Sequence, residues 1–366
     1  VSDAPVEALP LVYTAMHGVG GPLFLRALER RGFRQVTPVA EQLEPDPAFP
    51  TVAFPNPEEK GALDLAVATA ERADAELVLA HDPDADRLGA VVRCPRRGWK
   101  PLTGNDIGVL LARYLIDHDE PGDTSRLVVN TVVSSRLLER MARDLGVRYA
   151  EALTGFKNIS KVMMNLEEKE SLRPLLGYEE ALGYAVSADV RDKDGITAGL
   201  VLAEMAAVAR AEGRTLLDML EAIHRAHGLF VGSSRSVVMS GLDGPERIQR
   251  AMTALRGADL DTLRGMGVRQ RWDLQTGTRE DTGRDPSSGP SSASPYRANV
   301  LVFELSGGGR VAVRPSGTEP KLKLYLEREV PWPAEATYEE VVSRARSDLE
   351  AIERGFLALG EIPSGR

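Results

Sequence analysis

Up to His227, short apolar runs alternate with stretches in which apolar residues recur at helical spacing. Leu11-Val12-Tyr13, Leu77 to Ala80 and Leu127-Val128-Val129 are bare runs, as expected of strands buried on both faces. Between them Leu23, Leu25, Ala27 and Leu28, then Ala62, Leu63, Ala66, Val67 and Ala70, then Ile107, Leu110, Leu111 and Leu115 mark helices. Asn56-Pro57-Glu58-Glu59 has the form of a helix start: Asn caps, Pro takes the first position and Glu reaches back. Thr103-Gly104-Asn105-Asp106 opens a second helix, and Ser134 and Ser135 are placed to cap a third over Arg136 to Leu145. Asp192-Lys193-Asp194-Gly195 opens a long one through Leu200, Leu202, Met205 and Ala209.

From Gly228 the texture changes to β-branched alternation (Ser236 to Met239), a charged helix, strands at Asn299 to Leu305 and Arg310 to Val313, and a closing helix over Val341 to Leu357. Thr276 to Pro295, rich in Ser, Gly, Pro and charge, reads as a mobile surface loop. This order predicts two consecutive α/β domains with mixed sheets, residues 1–101 and 102–227. An α+β domain with an antiparallel sheet, residues 228–366, follows them.

The most informative polar stretch follows the run at Leu77 to Ala80. His81-Asp82-Pro83-Asp84-Ala85-Asp86-Arg87 delivers three carboxylates to the carboxyl end of a strand, where open α/β sheets place their ligands. Like charges so close call for a cation, and oxygen-only donors select a hard one, Mg²⁺ or Mn²⁺. Arg87 adds an anion-binding group beside it. An EF-hand is excluded, because Arg87 and Arg93 stand where its Gly and Glu are required. A haloacid-dehalogenase-like phosphatase stays open as an alternative, although Asp86 stands where that class carries Thr or Val. The glycine turn His17 to Pro22 fails as a dinucleotide fingerprint, since Leu23 replaces the third Gly, and it reads as a structural turn.

A second loop, Arg314-Pro315-Ser316-Gly317-Thr318-Glu319-Pro320-Lys321, gathers a guanidinium, hydroxyls and an ammonium around a glycine, which are the parts of a phosphate cradle. Lys323 lies just beyond it. Glu179 and Glu180, between glycine-containing turns, can accept hydrogen bonds from sugar hydroxyls but read equally as surface charge, and Lys157, after Gly155-Phe156, reads by itself as a solvated loop lysine.

A net charge of −9 over 366 residues argues against nucleic-acid or membrane partners while leaving room for a basic pocket that binds a small anion. The lone Cys94 excludes an internal disulfide and suits a cytoplasmic protein. No run is long enough to span a bilayer. A buried strand within a dozen residues of Val1 reads as part of a longer protein.

Together the three loops resemble the α-D-phosphohexomutase family of phosphoglucomutases, phosphomannomutases and phosphopentomutases. The resemblance runs through Asp82 to Arg87, Tyr178-Glu179-Glu180-Ala181 and Arg314 to Lys321, in the family's order. It implies the second, third and fourth of four family domains, without the first and its phosphoserine loop, so an N-terminal domain is expected elsewhere. It implies Asp82, Asp84 and Asp86 as Mg²⁺ ligands, with Arg87 and Lys157 at the reacting phosphoryl group and substrate. Glu179 and Glu180 would bind the sugar, and Arg314, Ser316, Gly317, Thr318 and Lys323 the other phosphate. The implied activity is transfer between the 1 and 6 positions of a hexose phosphate through a sugar 1,6-bisphosphate. Ala181 replaces a serine common in hexomutases, which leaves a pentose phosphate open. A non-catalytic sugar-phosphate-binding chain is the remaining alternative.

Overall fold

The computed structural model describes residues 4–94, 98–281, 297–317, 319–333 and 335–363. Residues to His227 form one compact unit and those from Gly228 another.

The first unit holds two sheets. Strands β1 (Leu11–Thr14), β2 (Val36–Pro38) and β3 (Leu77–His81) are parallel, crossed by helices α1 (Gly21–Arg31) and α2 (Asp64–Arg72). Strands β4 (Leu88–Cys94) and β5 (Gly98–Pro101) add antiparallel partners, giving the order β2-β1-β3-β4-β5. After α3 (Gly104–Asp117), the second sheet is built from β6 (Arg126–Thr131), β7 (Arg148–Ala152) and β8 (Arg173–Glu179) in parallel, with β9 (Gly183–Ala185) antiparallel at its edge. Helices α4 (Leu137–Asp144) and α5 (Phe156–Glu170) cross between its strands. Helices α6 (Gly195–Ala211) and α7 (Leu216–His227) close the unit. The predicted mixed sheets are present.

Helix α6 explains how the sheets are joined. It packs against β3 and β4 of one sheet and β9 of the other, and so is apolar nearly all round, with Ala198, Leu202, Ala203, Met205 and Ala209 buried. Its one buried carboxylate, Glu204, accepts from the Tyr114 hydroxyl (2.8 Å) and from Arg31 Nε (2.7 Å), tying α3 and α1 to it.

Two helix starts differ from expectation. The cap at Asn56 is real, since its Oδ1 accepts from the Glu58 amide (3.0 Å), but it closes only a turn. Gly61 then turns left-handed (φ 84°), and the helix begins at Asp64. Pro57 is held on β4, where a Cβ at Gly89 would come within 2.5 Å of its ring, so packing overrides the local helix signal. In front of α4, Ser135 Oγ accepts from the Leu137 amide (3.2 Å), whereas Ser134 turns to Glu180 instead of capping. Thr103 and Asp106 form the full capping box of α3.

The second unit is a six-stranded antiparallel sheet. It comprises β10 (Leu229–Val238), β11 (Val268–Asp273), β12 (Thr278–Asp281), β13 (Leu301–Leu305), β14 (Arg310–Pro315) and β15 (Lys321–Val330), with helices α8 (Gly244–Gly257), α9 (Leu260–Gly265) and α10 (Tyr338–Leu359). Part of the expected loop over Thr276 to Pro295 is instead strand β12, paired with β11; residues 282–295 lie outside the described residues. Among the described residues, no helix is long and apolar enough to cross a membrane.

Candidate active site

Strand β3 is wholly buried and ends at His81. The imidazole is buried, which pushes its pKa down to about 4 and keeps it neutral. Only an N–H can serve the carbonyl of Gly195, so Nε2 donates to it (2.8 Å) and Nδ1 accepts from the Tyr13 hydroxyl (3.1 Å). His81 thereby pins the end of β3 to the start of α6.

The chain then turns through Asp82 to Arg87, with Ala85 left-handed (φ 57°). One oxygen from each of Asp82, Asp84 and Asp86 lies within 4.8 Å of the others. Asp82 is buried and Asp84 exposed. Burial, helped by Asp86 and Asp84, pushes the Asp82 carboxyl up to about 6. Its Oδ1 accepts from the Arg87 amide (3.1 Å), closing the loop, and the guanidinium lies 3.5 Å from Oδ2. The buried Oδ1 of Asp86 has no hydrogen-bond partner. Arg87 Nε stands 3.8 Å from that oxygen, and three carboxylates with a buried oxygen that no hydrogen bond satisfies fit a hard divalent cation. The glycine turn after β1 braces this loop: Val19 donates to the Pro83 carbonyl (2.8 Å), and a Cβ at Gly18 would sit 2.5 Å from Pro83 Cα.

The acidic loop is joined by backbone to the second sheet. Leu88 donates to the Leu182 carbonyl (3.0 Å), and Arg87 bridges to Gly183. That contact sets Glu179, the last residue of β8, near Arg87 and Asp86. Burial and the neighbouring Glu180 push the Glu179 carboxyl up to about 7. Glu180 is turned elsewhere: its Oε2 accepts from Thr131 (3.1 Å) and Ser134 (2.9 Å). Lys157 is exposed at the start of α5.

Lys193 was legible in the sequence only as part of a helix opening. Its Nζ lies 2.9 Å from Asp86 Oδ2, with Glu179 also in electrostatic reach. Burial alone would lower its pKa, but the bond to Asp86 outweighs that and raises it. No local signal could have placed it there, because the contact depends on α6 crossing between the sheets.

In the second unit, Arg314 at the end of β14 stands directly opposite Lys323 on β15. Two cations opposed on one face repel unless an anion lies between them. Ser316 closes the intervening loop by donating to the Lys321 carbonyl (2.7 Å), and Lys321 pairs with Glu319 (3.0 Å). A Cβ at Gly317 would meet nothing within 4 Å. Thr318 lies outside the described residues.

Family models for phosphoglucomutase/phosphomannomutase match three successive segments: alpha/beta/alpha domain II over residues 2–97, domain III over 103–226 and the C-terminal domain over 289–345. The chain belongs to the phosphoglucomutase/phosphomannomutase family. It is 40% identical over 329 residues to a probable phosphomannomutase of Haemophilus influenzae, covering 89% of this chain and 61% of that protein. It is 37% identical over 333 residues to a phosphoglucomutase of Staphylococcus haemolyticus, covering 90% and 59%. The chain thus spans about three fifths of the length of these family members. Parafusin, a phosphoglucomutase of Paramecium in its open form, shares the fold with a TM-score of 0.68 at 19% identity, over 96% of this chain and 57% of that one.

Proposed function

We propose that this chain is the metal-, sugar- and phosphate-binding part of a phospho-sugar mutase that moves a phosphoryl group between the 1 and 6 positions of a hexose phosphate, glucose first, through a sugar 1,6-bisphosphate. The observation behind it is the Asp82, Asp84 and Asp86 cluster, in which no hydrogen bond reaches the buried Asp86 Oδ1, joined by backbone to the loop that carries Glu179. The three carboxylates would hold Mg²⁺, which when bound neutralises charge on a transferring phosphoryl group.

Arg87 would steady that group's oxygens, and Glu179 would accept from sugar hydroxyls when ionised. Glu180, held by Thr131 and Ser134, would orient the turn. Arg314, Ser316 and Lys323 would hold a phosphate that is not reacting, with Thr318 assigned by motif alone. Lys157 would contact substrate. The nucleophilic serine is assigned to a segment outside these 366 residues, since no Ser-His-Asn-Pro loop occurs among them. Ala181, where many hexomutases carry a serine, leaves a pentose phosphate as the second reading of the substrate.

The test is calorimetry and turnover on the purified chain. It is expected to bind glucose 1,6-bisphosphate more tightly with Mg²⁺ than with EDTA, yet not to interconvert glucose 1-phosphate and glucose 6-phosphate unless a serine-bearing segment is joined to it. Turnover by the chain alone would place the nucleophile within it, and tighter binding of ribose 1,5-bisphosphate would transfer the assignment to a pentose. In the same assay Arg314→Ala is expected to weaken bisphosphate binding by about 1.5–3 kcal/mol, the range for hydrogen bonds to charged groups. Unchanged affinity would remove the cradle from that loop.

A further inference from the structure

We infer that Lys193 is a built-in counter-cation of the acidic loop, resting on Asp86 when no metal is bound and passing to Glu179 when one is, so that metal loading and the charge of the sugar site are coupled. This rests on the metal assignment proposed above.

The ammonium is committed to Asp86, 2.9 Å from Oδ2, and more loosely to Asp192, 3.8 Å away. Its side chain is 18% exposed. The backbone beneath it is fixed, because Asp194 caps α6 by accepting from the Ile196 (2.9 Å) and Thr197 (3.2 Å) amides. Its stem lies across Gly183: a Cβ there would stand 2.5 Å from Lys193 Cδ and 3.1 Å from Glu179 Cγ. Lys193 and Glu179 therefore share one lane over that glycine, flanked by the Phe156 ring, whose centroid is 5.9 Å from Nζ.

A divalent ion drawn to Asp82, Asp84 and Asp86 meets the ammonium as a like charge a few ångströms away, in partly buried surroundings where such repulsion is poorly screened. The ammonium must leave Asp86 for another carboxylate. Glu180 is already met by hydroxyls and Asp192 is 70% exposed to solvent, which leaves Glu179, the carboxylate that shares the lane. Two consequences follow: Lys193 weakens metal binding, and it brings its positive charge closer to Glu179 when metal is present. Reciprocity then requires that ionised Glu179 favour metal loading.

Mn²⁺ titration followed by electron paramagnetic resonance, with Mg²⁺ competition, reads this without turnover. Lys193→Met is expected to bind Mn²⁺ about tenfold more tightly than wild type, and Lys193→Arg to remain within about twofold of it. Glu179→Gln should weaken binding severalfold in the wild-type background and much less in the Lys193→Met background, a non-additive cycle. Equal or weaker binding by Lys193→Met, with an unchanged thermal midpoint, would overturn the counter-cation role, and an additive cycle would overturn the transfer to Glu179. Lys193→Gln repeats the test should the Met variant unfold. Absence of Mn²⁺ uptake by the wild-type chain would overturn the metal assignment itself, and this inference with it.

Discussion

Asp82→Asn is expected to make the metal-free chain more stable at pH 7.5, by up to about 3 kcal/mol, while removing high-affinity metal binding. Asp82 is 6% exposed, and its carboxyl is pushed up to about 6 chiefly by burial, against an ordinary value of 3.8. An acid whose pKa is raised by folding binds its proton more tightly in the native state. Stability therefore falls as pH rises through the window from about 4 to about 6, and stays lower above it. The neutral amide avoids that loss and keeps an Oδ1 to accept from the Arg87 amide. Against wild type in EDTA, the gain should vanish near pH 4 and be complete above pH 7. Mg²⁺ should reverse the order, because a ligand that binds only the native state stabilises it by mass action. Urea unfolding at the two pH values, with and without Mg²⁺, reads all four conditions. A variant less stable than wild type in EDTA at pH 7.5 would show that Asp82 is not a site where stability yields to function. Glu179, pushed up to about 7, has the same sign and extends the window upward.

How much of this was legible beforehand depends on whether the signal was local. The strand at Leu77 to Ala80, the carboxylates after it and the Thr103 capping box are read within a few residues, and each stands where the pattern predicts. Asn56 shows the limit: its cap forms, yet Pro57 packing on Gly89 and the left-handed Gly61 stop the helix from following. Glu179 and Glu180 are adjacent carboxylates that the sequence treats alike. Thr131 and Ser134, remote in the chain, claim one of them. Lys193 is the extreme case, since nothing near it in sequence announces the contact with Asp86. Glycines gave a quieter warning. Gly18 could be read as a turn, but not as the clearance against which Pro83 rests.

Gly195→Ala is expected to cost about 1–3 kcal/mol of stability and, more tellingly, to weaken metal binding at a residue that offers the ion no ligand. The reason is steric rather than conformational. A Cβ at Gly195 would stand 2.5 Å from the Arg87 carbonyl oxygen and 2.7 Å from that of Ala85, both backbone atoms that no rotamer change can withdraw. The Gly195 amide donates to the Ala85 carbonyl (3.1 Å), and its own carbonyl accepts from His81. The start of α6 and the acidic loop are thus packed to contact along their backbones. Forcing them apart moves Ala85 and Arg87, which flank Asp86, and carries Lys193 away with the helix. Both the carboxylate spacing and its counter-cation should loosen together. Gly257→Ala is the control: a Cβ there meets nothing within 4 Å, at the end of a helix in the other unit, so stability should hold or rise slightly. If Gly195→Ala matched wild type in unfolding midpoint and Mn²⁺ affinity while the control behaved as stated, the backbone lock between α6 and the acidic loop would not be what shapes the site.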